Sequence, residues 1–426
     1  MTAEPPIVIE NRKTLSYLLC EAAELEHGLL CEYLYAAFSL KQEPDDGLPA
    51  DRLPDVERWR KVLLTIAGEE MLHWALVNNL LTAIGSAPFV SRPHMPHQAK
   101  GYPAGVQLAL LRFGEQALRH IVFLERPEGI ELADAEGFEP AGGPLPPVSE
   151  RDLVPRGQEF ATVGHLYRSI EAGLVRLADK YGEDKLFIGP PRAQASPASF
   201  GWPDLVPIRD LKTAADAIER IVEQGEGARG DWTEAHYGRF VAVLEEYLAA
   251  KAADPTFEPA HPVSAAGVRP VDGVEPAIFI TDPVTAEISD LFNVVYDLLL
   301  QMIARYFAFG RETDEQLAVL ADTSVGLMFG AIKPLGLALA KLPVGPEHPG
   351  LTAGANFQLA YRSNFLLPHR RSAWIRFRER LDETADFADS IEAEPQTRVV
   401  LDRVAAKLRA FGETLARHTE PAGTSA

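Results

Sequence analysis

Ionisable side chains interrupt the apolar faces of three helices that the sequence predicts. In chain order they are Glu26, the pair Glu70 and His73, and Glu171. A buried carboxylate is costly unless it is paired with an opposite charge or binds a metal ion. The chain is therefore expected to enclose a polar site between its helices. These residue types match a carboxylate-bridged pair of metal ions in a helix bundle.

Apolar residues recur at three- and four-residue steps through most of the chain, which predicts an all-α fold. The predicted helices cover about residues 12–40, 55–84, 157–181, 211–224, 233–251, 285–309, 313–342, 368–391 and 394–417. Residues 106–125 are ambiguous between helix and strand. The predicted organisation is a bundle that carries the site (1–255), a proline-rich connection (256–284), a helical C-terminal region (285–417) and a disordered tail (418–426).

Glu26 lies in the middle of an apolar row on the first predicted helix. It follows Leu19 by seven residues and Ala22 by four, and Leu29 follows it by three. Residues at these steps share one helix face. Tyr33 lies two turns further along that face, so it is expected to donate a hydrogen bond within the site, with plain core packing as the alternative.

The second and third helices follow the same logic. Ile66, Glu70, His73 and Val77 are separated by steps of four, three and four residues. A Glu-x-x-His step places two ligands one turn apart on one face. Glu171 occupies the corresponding apolar row of the third helix, so all three residues are predicted metal ligands.

The fourth contribution comes from the end of the helix predicted at 211–224. Glu226 lies nearer the apolar row than Glu223, so we take Glu226 as the ligand and Glu223 as the alternative. His236 follows a glycine-rich break that can bring it back to the same site. A surface histidine or a histidine satisfied in the core is the alternative for His236.

Four carboxylates and two imidazoles suit iron or manganese better than a metal that prefers thiolates. The sequence therefore predicts two iron ions, with manganese as the alternative, and indicates neither haem nor a nucleotide cofactor. The predicted metal ligands are Glu26, Glu70, His73, Glu171, Glu226 and His236.

The formal net charge of −20 argues against nucleic acid and anionic membranes as partners. Cys20 and Cys31 are the only cysteines, and eleven residues along one helix keep them too far apart to pair. No signal-peptide pattern is visible at the N-terminus. We therefore expect a cytoplasmic protein whose partners are a small-molecule substrate and O₂, and the sequence leaves its oligomeric state open.

Several segments resemble a known family. They are residues 25–27 (LEH) with 33–40 (YLYAAFSL), 69–73 (EEMLH), 123–128 (FLERPE) and 221–227 (IVEQGEG) followed by His236. They are similar to the ferritin-like family related to iminophenyl-pyruvate dimer synthase. The resemblance covers about residues 12–250 and implies a ferritin-like four-helix bundle with a metal site. Dimer synthases of that type act in bisindole pigment pathways and are much longer chains, so the resemblance does not transfer their substrate.

Three functional hypotheses follow. The first is a non-haem di-iron or di-manganese oxidase or oxygenase of secondary metabolism that acts on a small metabolite, with amino-acid-derived compounds as candidates. The second is a non-catalytic iron-binding or storage protein. The third is a structural helical protein whose buried acids form ion pairs, and it predicts that no metal is bound.

Overall fold

The computed structural model describes residues 6–98, 106–138, 145–227, 231–271, 275–308, 311–359, 367 and 369–419. Regular structure within these ranges is overwhelmingly helical, which confirms the all-α prediction. The two named strands, β1 (His97–Gln98) and β2 (Gln107–Leu108), have two residues each and pair antiparallel. The ambiguous segment 106–125 contains both β2 and a helix.

The described residues form two compact units, Met1–Pro197 with Trp202–Pro259 and Ala198–Gly201 with Ala260–Ala426. The division at Pro259 falls inside the predicted proline-rich connection. The predicted tail at 418–426 lies outside the described residues from residue 420 onward.

Helix α1 is the central helix of the first unit. The helices of this unit are α1 (Arg12–Ser39), α2 (Leu53–Ala83), α3 (Glu115–Leu124), α4 (Val163–Tyr181), α5 (Glu183–Leu186), α7 (Leu211–Gly225) and α8 (His236–Ala253). The short α6 (Pro197–Phe200), which comes between α5 and α7 in the chain, falls almost entirely in the second unit. Residues on every side of α1 are buried, as expected for a helix enclosed by others. It packs against α2 and α4. Helix α2 also packs against α7 and α8. Helix α4 packs against α7, and α3 packs against α8.

Capping side chains set where the site-bearing helices begin. Asn11 accepts a hydrogen bond from the backbone N–H of Thr14 at the start of α1. Thr162 accepts one from the N–H of His165 at the start of α4, and Asp210 forms a capping box at the start of α7. Such caps satisfy backbone donors that have no partner within the helix. They therefore fix which residues of α4 and α7 face the centre of the unit.

The second unit contains α9 (Pro283–Phe307), α10 (Asp314–Leu327), a π-helical turn (Met328–Ile332), α11 (Lys333–Leu339), α12 (Arg370–Ser390) and α13 (Pro395–His418). Helix α9 packs against α10 and α12, and α12 packs along α13. Arg305 and Glu312 form a buried ion pair of 2.6 Å, and Trp374 donates to the same carboxylate. The pair is satisfied by its neighbours, so it reads as a structural element of this core.

One helical stretch among the described residues, Asp314–Leu339, is long and apolar enough to cross a membrane by length and composition. Core helices of globular proteins pass the same test, and this stretch packs against α9 and α13 within its own unit.

Candidate metal centre

The carboxylate of Glu70 lies between two imidazoles in the interior of the first unit. Its Oε2 is 3.3 Å from Nδ1 of His73, and its Oε1 is 2.8 Å from Nδ1 of His236. The two rings stack with centroids 5.3 Å apart. All three residues are at most 2% exposed. One carboxylate thus presents an oxygen to each histidine, which is the arrangement of a bridging ligand.

A further carboxylate lies beside each histidine. Oε2 of Glu26 is 3.6 Å from Nδ1 of His73, and Oε1 of Glu125 is 3.5 Å from Nδ1 of His236. The centre therefore has two similar halves that share Glu70. We call them the His73 side and the His236 side.

Each flanking carboxylate accepts a hydrogen bond from a buried tyrosine. The hydroxyl of Tyr167, on α4, donates to Oε1 of Glu26. The hydroxyl of Tyr33, on α1, donates to Oε1 of Glu125, and its ring packs against Phe240 with centroids 5.0 Å apart. Both phenols are fully buried, so these bonds hold one oxygen of each carboxylate in place.

The outer nitrogens of both histidines are also bonded. Nε2 of His73 donates to Oε1 of Gln224 at 2.9 Å. Nε2 of His236 donates to Oε2 of Glu69 at 3.1 Å, and Arg239 pairs with the same carboxylate. A partner on one ring nitrogen fixes the ring orientation and directs the other nitrogen towards a metal. Nδ1 of each histidine consequently faces the shared Glu70.

Glu226 lines the small cavity around these residues and lies against the first turn of α4. One of its oxygens accepts from the backbone N–H of Gly164 at 2.9 Å, and the other is 3.1 Å from Arg168. Arg168 also pairs with Glu128. The side chains of Arg168 and Glu128 are partly exposed, whereas that of Glu226 is buried. Glu226 thus connects the buried centre to a surface ion pair.

The pKa values show how strongly the carboxylates and imidazoles interact. Burial and the charge of Glu70 raise the pKa of Glu26 to about 8. Burial opposes protonation of His73, but Glu70 and Glu26 together outweigh it and raise the pKa of the imidazole to about 10. Burial likewise acts to raise the pKa of Glu70, but His236 and His73 hold it well below its usual range. In the protein without ions, imidazole protons supply the positive charge that metal ions would otherwise provide.

Two observations show that the donor set fits metal ions. Nδ1 of His236 is buried and has no aligned hydrogen bond, although Glu70 is close to it. Ligand atoms of Glu70, His73 and His236 all lie within 4.8 Å of one another. The surrounding cavity of about 20 Å³ has room for ions or water-sized molecules. Carboxylate oxygens and imidazole nitrogens are common ligands of divalent metal ions in proteins.

Most of the predicted ligands line one cavity, and Glu171 does not. Glu26, Glu70, His73, Glu226 and His236 all contribute to its wall. The sequence also offered two other acids, and the structure places them elsewhere: Glu171 is half-buried away from the cavity, and Glu223 is exposed.

The position of Glu171 is explained by the length of α4. Val163, Gly164 and Tyr167 line the cavity, so only the first turns of this helix reach it. Glu171 lies four residues beyond Tyr167, or about 6 Å further along the axis. The apolar row that led to the prediction of Glu171 continues along α4 beyond the cavity. Tyr167, one turn earlier on this row, lines the cavity where Glu171 was expected.

Glu125 is the site residue that the sequence analysis did not identify as a ligand. It follows the last residue of α3 and is 5% exposed. Leu118 and Ile121 precede it by seven and four residues, but residues 106–125 were ambiguous between helix and strand, so helical periodicity did not mark Glu125 as buried. The available signal was the 123–128 segment, which already resembled the family.

Gly164 is the residue that allows Glu226 to approach α4. A Cβ atom at this position would lie 2.2 Å from Oε1 of Glu226. Gly164→Ala is therefore expected to displace Glu226 and to lower the free energy of unfolding by about 1–3 kcal/mol, as overpacking does. Thermal and urea unfolding measure the change. Gly68→Ala on α2 is the control, because a Cβ there meets no atom within 4 Å. Equal stability of the two variants would contradict the assigned role of Gly164.

Comparison with known proteins identifies the family. Residues 19–245 match the family model described as ferritin-like, which is more than half of the chain. The chain belongs to the ferritin-like family. A crystal structure of a ferritin-like protein from Caulobacter vibrioides matches 82% of this chain and 99% of its own length, with a TM-score of 0.51 and 18% identity. That likeness supports the ferritin-like fold alone.

Two curated relatives confirm the resemblance to bisindole-pathway enzymes. Dichlorochromopyrrolate synthase from Lentzea aerocolonigenes is 29% identical over 416 residues, covering 87% of this ferritin-like chain and 38% of its own. A 2-imino-3-(indol-3-yl)propanoate dimerase from Chromobacterium violaceum is 28% identical over 375 residues. The match covers 82% of this chain and 34% of the dimerase. The chain thus spans little more than a third of the length of either relative.

Proposed function

We propose that this ferritin-like protein is a non-haem di-iron or di-manganese oxidase or oxygenase that acts on a small, amino-acid-derived metabolite. The observation that carries the proposal is the position of Glu70 between His73 and His236, with one further carboxylate beside each histidine.

The residues divide into those that bind ions and those that hold the ligands in place. Glu70 would bridge two ions, His73 with Glu26 would hold one, and His236 with Glu125 would hold the other. Two iron or manganese ions supply reactivity with O₂ and exchange of two electrons. Complete burial of the ligands excludes bulk water from the centre, and the tyrosines limit movement of the flanking carboxylates.

The substrate class rests on the relatives and on the size of the cavity. One relative is named for 2-imino-3-(indol-3-yl)propanoate, the imino acid with the tryptophan skeleton. A cavity of about 20 Å³ does not admit such a molecule, since ligand pockets measure several hundred Å³. A metabolite must therefore reach the centre by displacement of a wall. The candidate entrance is the part of the wall at Arg168 and Glu226. Glu226 lines the cavity there, and Arg168 and its partner Glu128 are partly exposed.

Cys20 and Cys31 lie eleven residues apart on α1, too far to form a disulfide with each other, which supports our further proposal that the protein works in a reducing compartment such as the cytoplasm.

Oxygen uptake by the iron-loaded protein tests this function. We expect uptake to depend on added aromatic amino-acid derivatives and to be lost in Glu70→Ala/His73→Ala. Oxygen uptake that needs no substrate and continues while many irons are loaded per chain would instead identify a storage protein. A folded protein that takes up no ion would support the structural hypothesis of buried ion pairs.

A further inference from the structure

The two halves of the metal centre differ in the partner of the outer histidine nitrogen. On the His73 side, Nε2 donates to an amide oxygen, that of Gln224 at 2.9 Å. On the His236 side, Nε2 donates to a carboxylate oxygen, that of Glu69 at 3.1 Å. The amide is neutral, whereas a carboxylate can carry a full negative charge.

Glu69 is an anion in this arrangement. Arg239 pairs with it, and a guanidinium is always protonated in proteins. The Glu69 side chain is 25% exposed, so water can also solvate its charge. A histidine that donates to such a carboxylate is a stronger base, and thus a stronger metal ligand, than one that donates to an amide.

The inner ligands of the two halves are closely matched. Glu26 lies 3.6 Å from His73, and Glu125 lies 3.5 Å from His236. Each of these carboxylates accepts one tyrosine hydroxyl, and both halves share Glu70. Donor type and donor number consequently do not distinguish the halves.

The Glu226 carboxylate, which also lines the cavity, does not make the inner ligands of the two halves unequal. Glu226 has both oxygens engaged by α4, one by the backbone N–H of Gly164 and one by Arg168. These two bonds hold the Glu226 carboxylate against α4 and direct its oxygens towards Gly164 and Arg168. The outer partners of the histidines therefore remain the difference in donor chemistry between the halves.

We propose that the two metal positions are unequal, and that the position beside His236 binds its ion first and more tightly because Glu69 strengthens that histidine. The inference rests on the proposed metal centre and adds an order of filling to it. Glu69 acts through His236, so it is a positioning residue and not a ligand.

Stepwise titration of metal-free protein with Mn²⁺ tests the inference, with the free ion followed by its electron paramagnetic resonance signal. Wild type should bind two ions in separate steps. Glu69→Gln retains size and an acceptor oxygen, and we expect it to weaken the tighter step by about ten- to hundredfold, as loss of an outer partner does. Gln224→Ala should weaken only the looser step, and His73→Ala should leave the tighter step in place.

The outcomes separate the inference from the function on which it rests. Two equal steps in wild type would overturn the inference and leave the metal centre intact. Unequal steps with the tighter one unchanged by Glu69→Gln would also overturn it. Binding of no Mn²⁺ by folded wild type, and of no Fe²⁺ by elemental analysis after removal of unbound ions, would overturn the metal centre and the inference together.

Discussion

Glu70→Gln is expected to reduce bound iron or manganese from about two ions per chain to less than one. The substitution keeps the size of the side chain but removes the charge that lies between His73 and His236. Both proposed positions lose their shared ligand at once, so the effect should exceed that of removing either flanking carboxylate. Elemental analysis of purified protein, before and after reconstitution with Fe²⁺ or Mn²⁺, measures the change.

Glu57→Gln is the matched control for this variant. Glu57 lies on the same helix, α2, but its side chain is 76% exposed. Its replacement makes the same chemical change without touching the centre, and metal content should stay at the wild-type value. Circular dichroism and thermal unfolding establish that both variants are folded. Unchanged metal content in folded Glu70→Gln would refute the assignment of Glu70 as the bridging ligand.

Site residues in the middle of α1 and α2 could be predicted from the sequence, whereas the same logic placed Glu171, in the middle of α4, at a cavity that it does not line. Glu26 lies within α1, and Glu70 and His73 lie within α2, where apolar residues before and after them define the buried face. Over several turns, the 3.6-residue period leaves little choice of face. The same regularity predicted the all-α class and most helix bounds to within a few residues.

Residues at helix ends required the structure. Glu125 follows α3, Glu226 follows α7, and His236 is the first residue of α8. Their directions depend on where the chain leaves or enters a helix, which caps and turns decide and periodicity does not. The sequence suggested Glu226 through its position near the apolar row and His236 through the glycine-rich break before it, whereas Glu125 was marked only as part of the 123–128 segment.

Residues that act through a ligand are the hardest to predict. Glu69 lies outside the apolar row of α2, so its position alone indicates a solvated acid. The structure shows it bonded to His236, which comes from another helix more than 160 residues away. Partners of this kind depend on the packing of α2 against α8, which no local pattern encodes.

Binding of the tighter ion alone is expected to raise the melting temperature of the wild-type protein by roughly 10 °C, and the second ion adds to this rise. A ligand present at about a thousand times its dissociation constant stabilises the folded state by about 4 kcal/mol. For a domain of about 150–250 residues, each kcal/mol shifts the melting temperature by roughly 2–4 °C. Differential scanning fluorimetry, with added Mn²⁺ or Fe²⁺ and with chelator, measures the shift.

The same experiment separates a metal centre from a set of buried ion pairs. Imidazole protons already compensate the carboxylates in the protein without ions, so this form should remain folded, with a lower melting temperature. Glu70→Gln should lose the metal-dependent rise because the ions no longer bind, whereas Glu57→Gln should keep it. A wild-type melting temperature that neither Mn²⁺ nor Fe²⁺ nor chelator moves would mean that Glu70, His73 and His236 stabilise the bundle as ion pairs only. In that case the oxygen chemistry proposed for the centre would have no metal to support it.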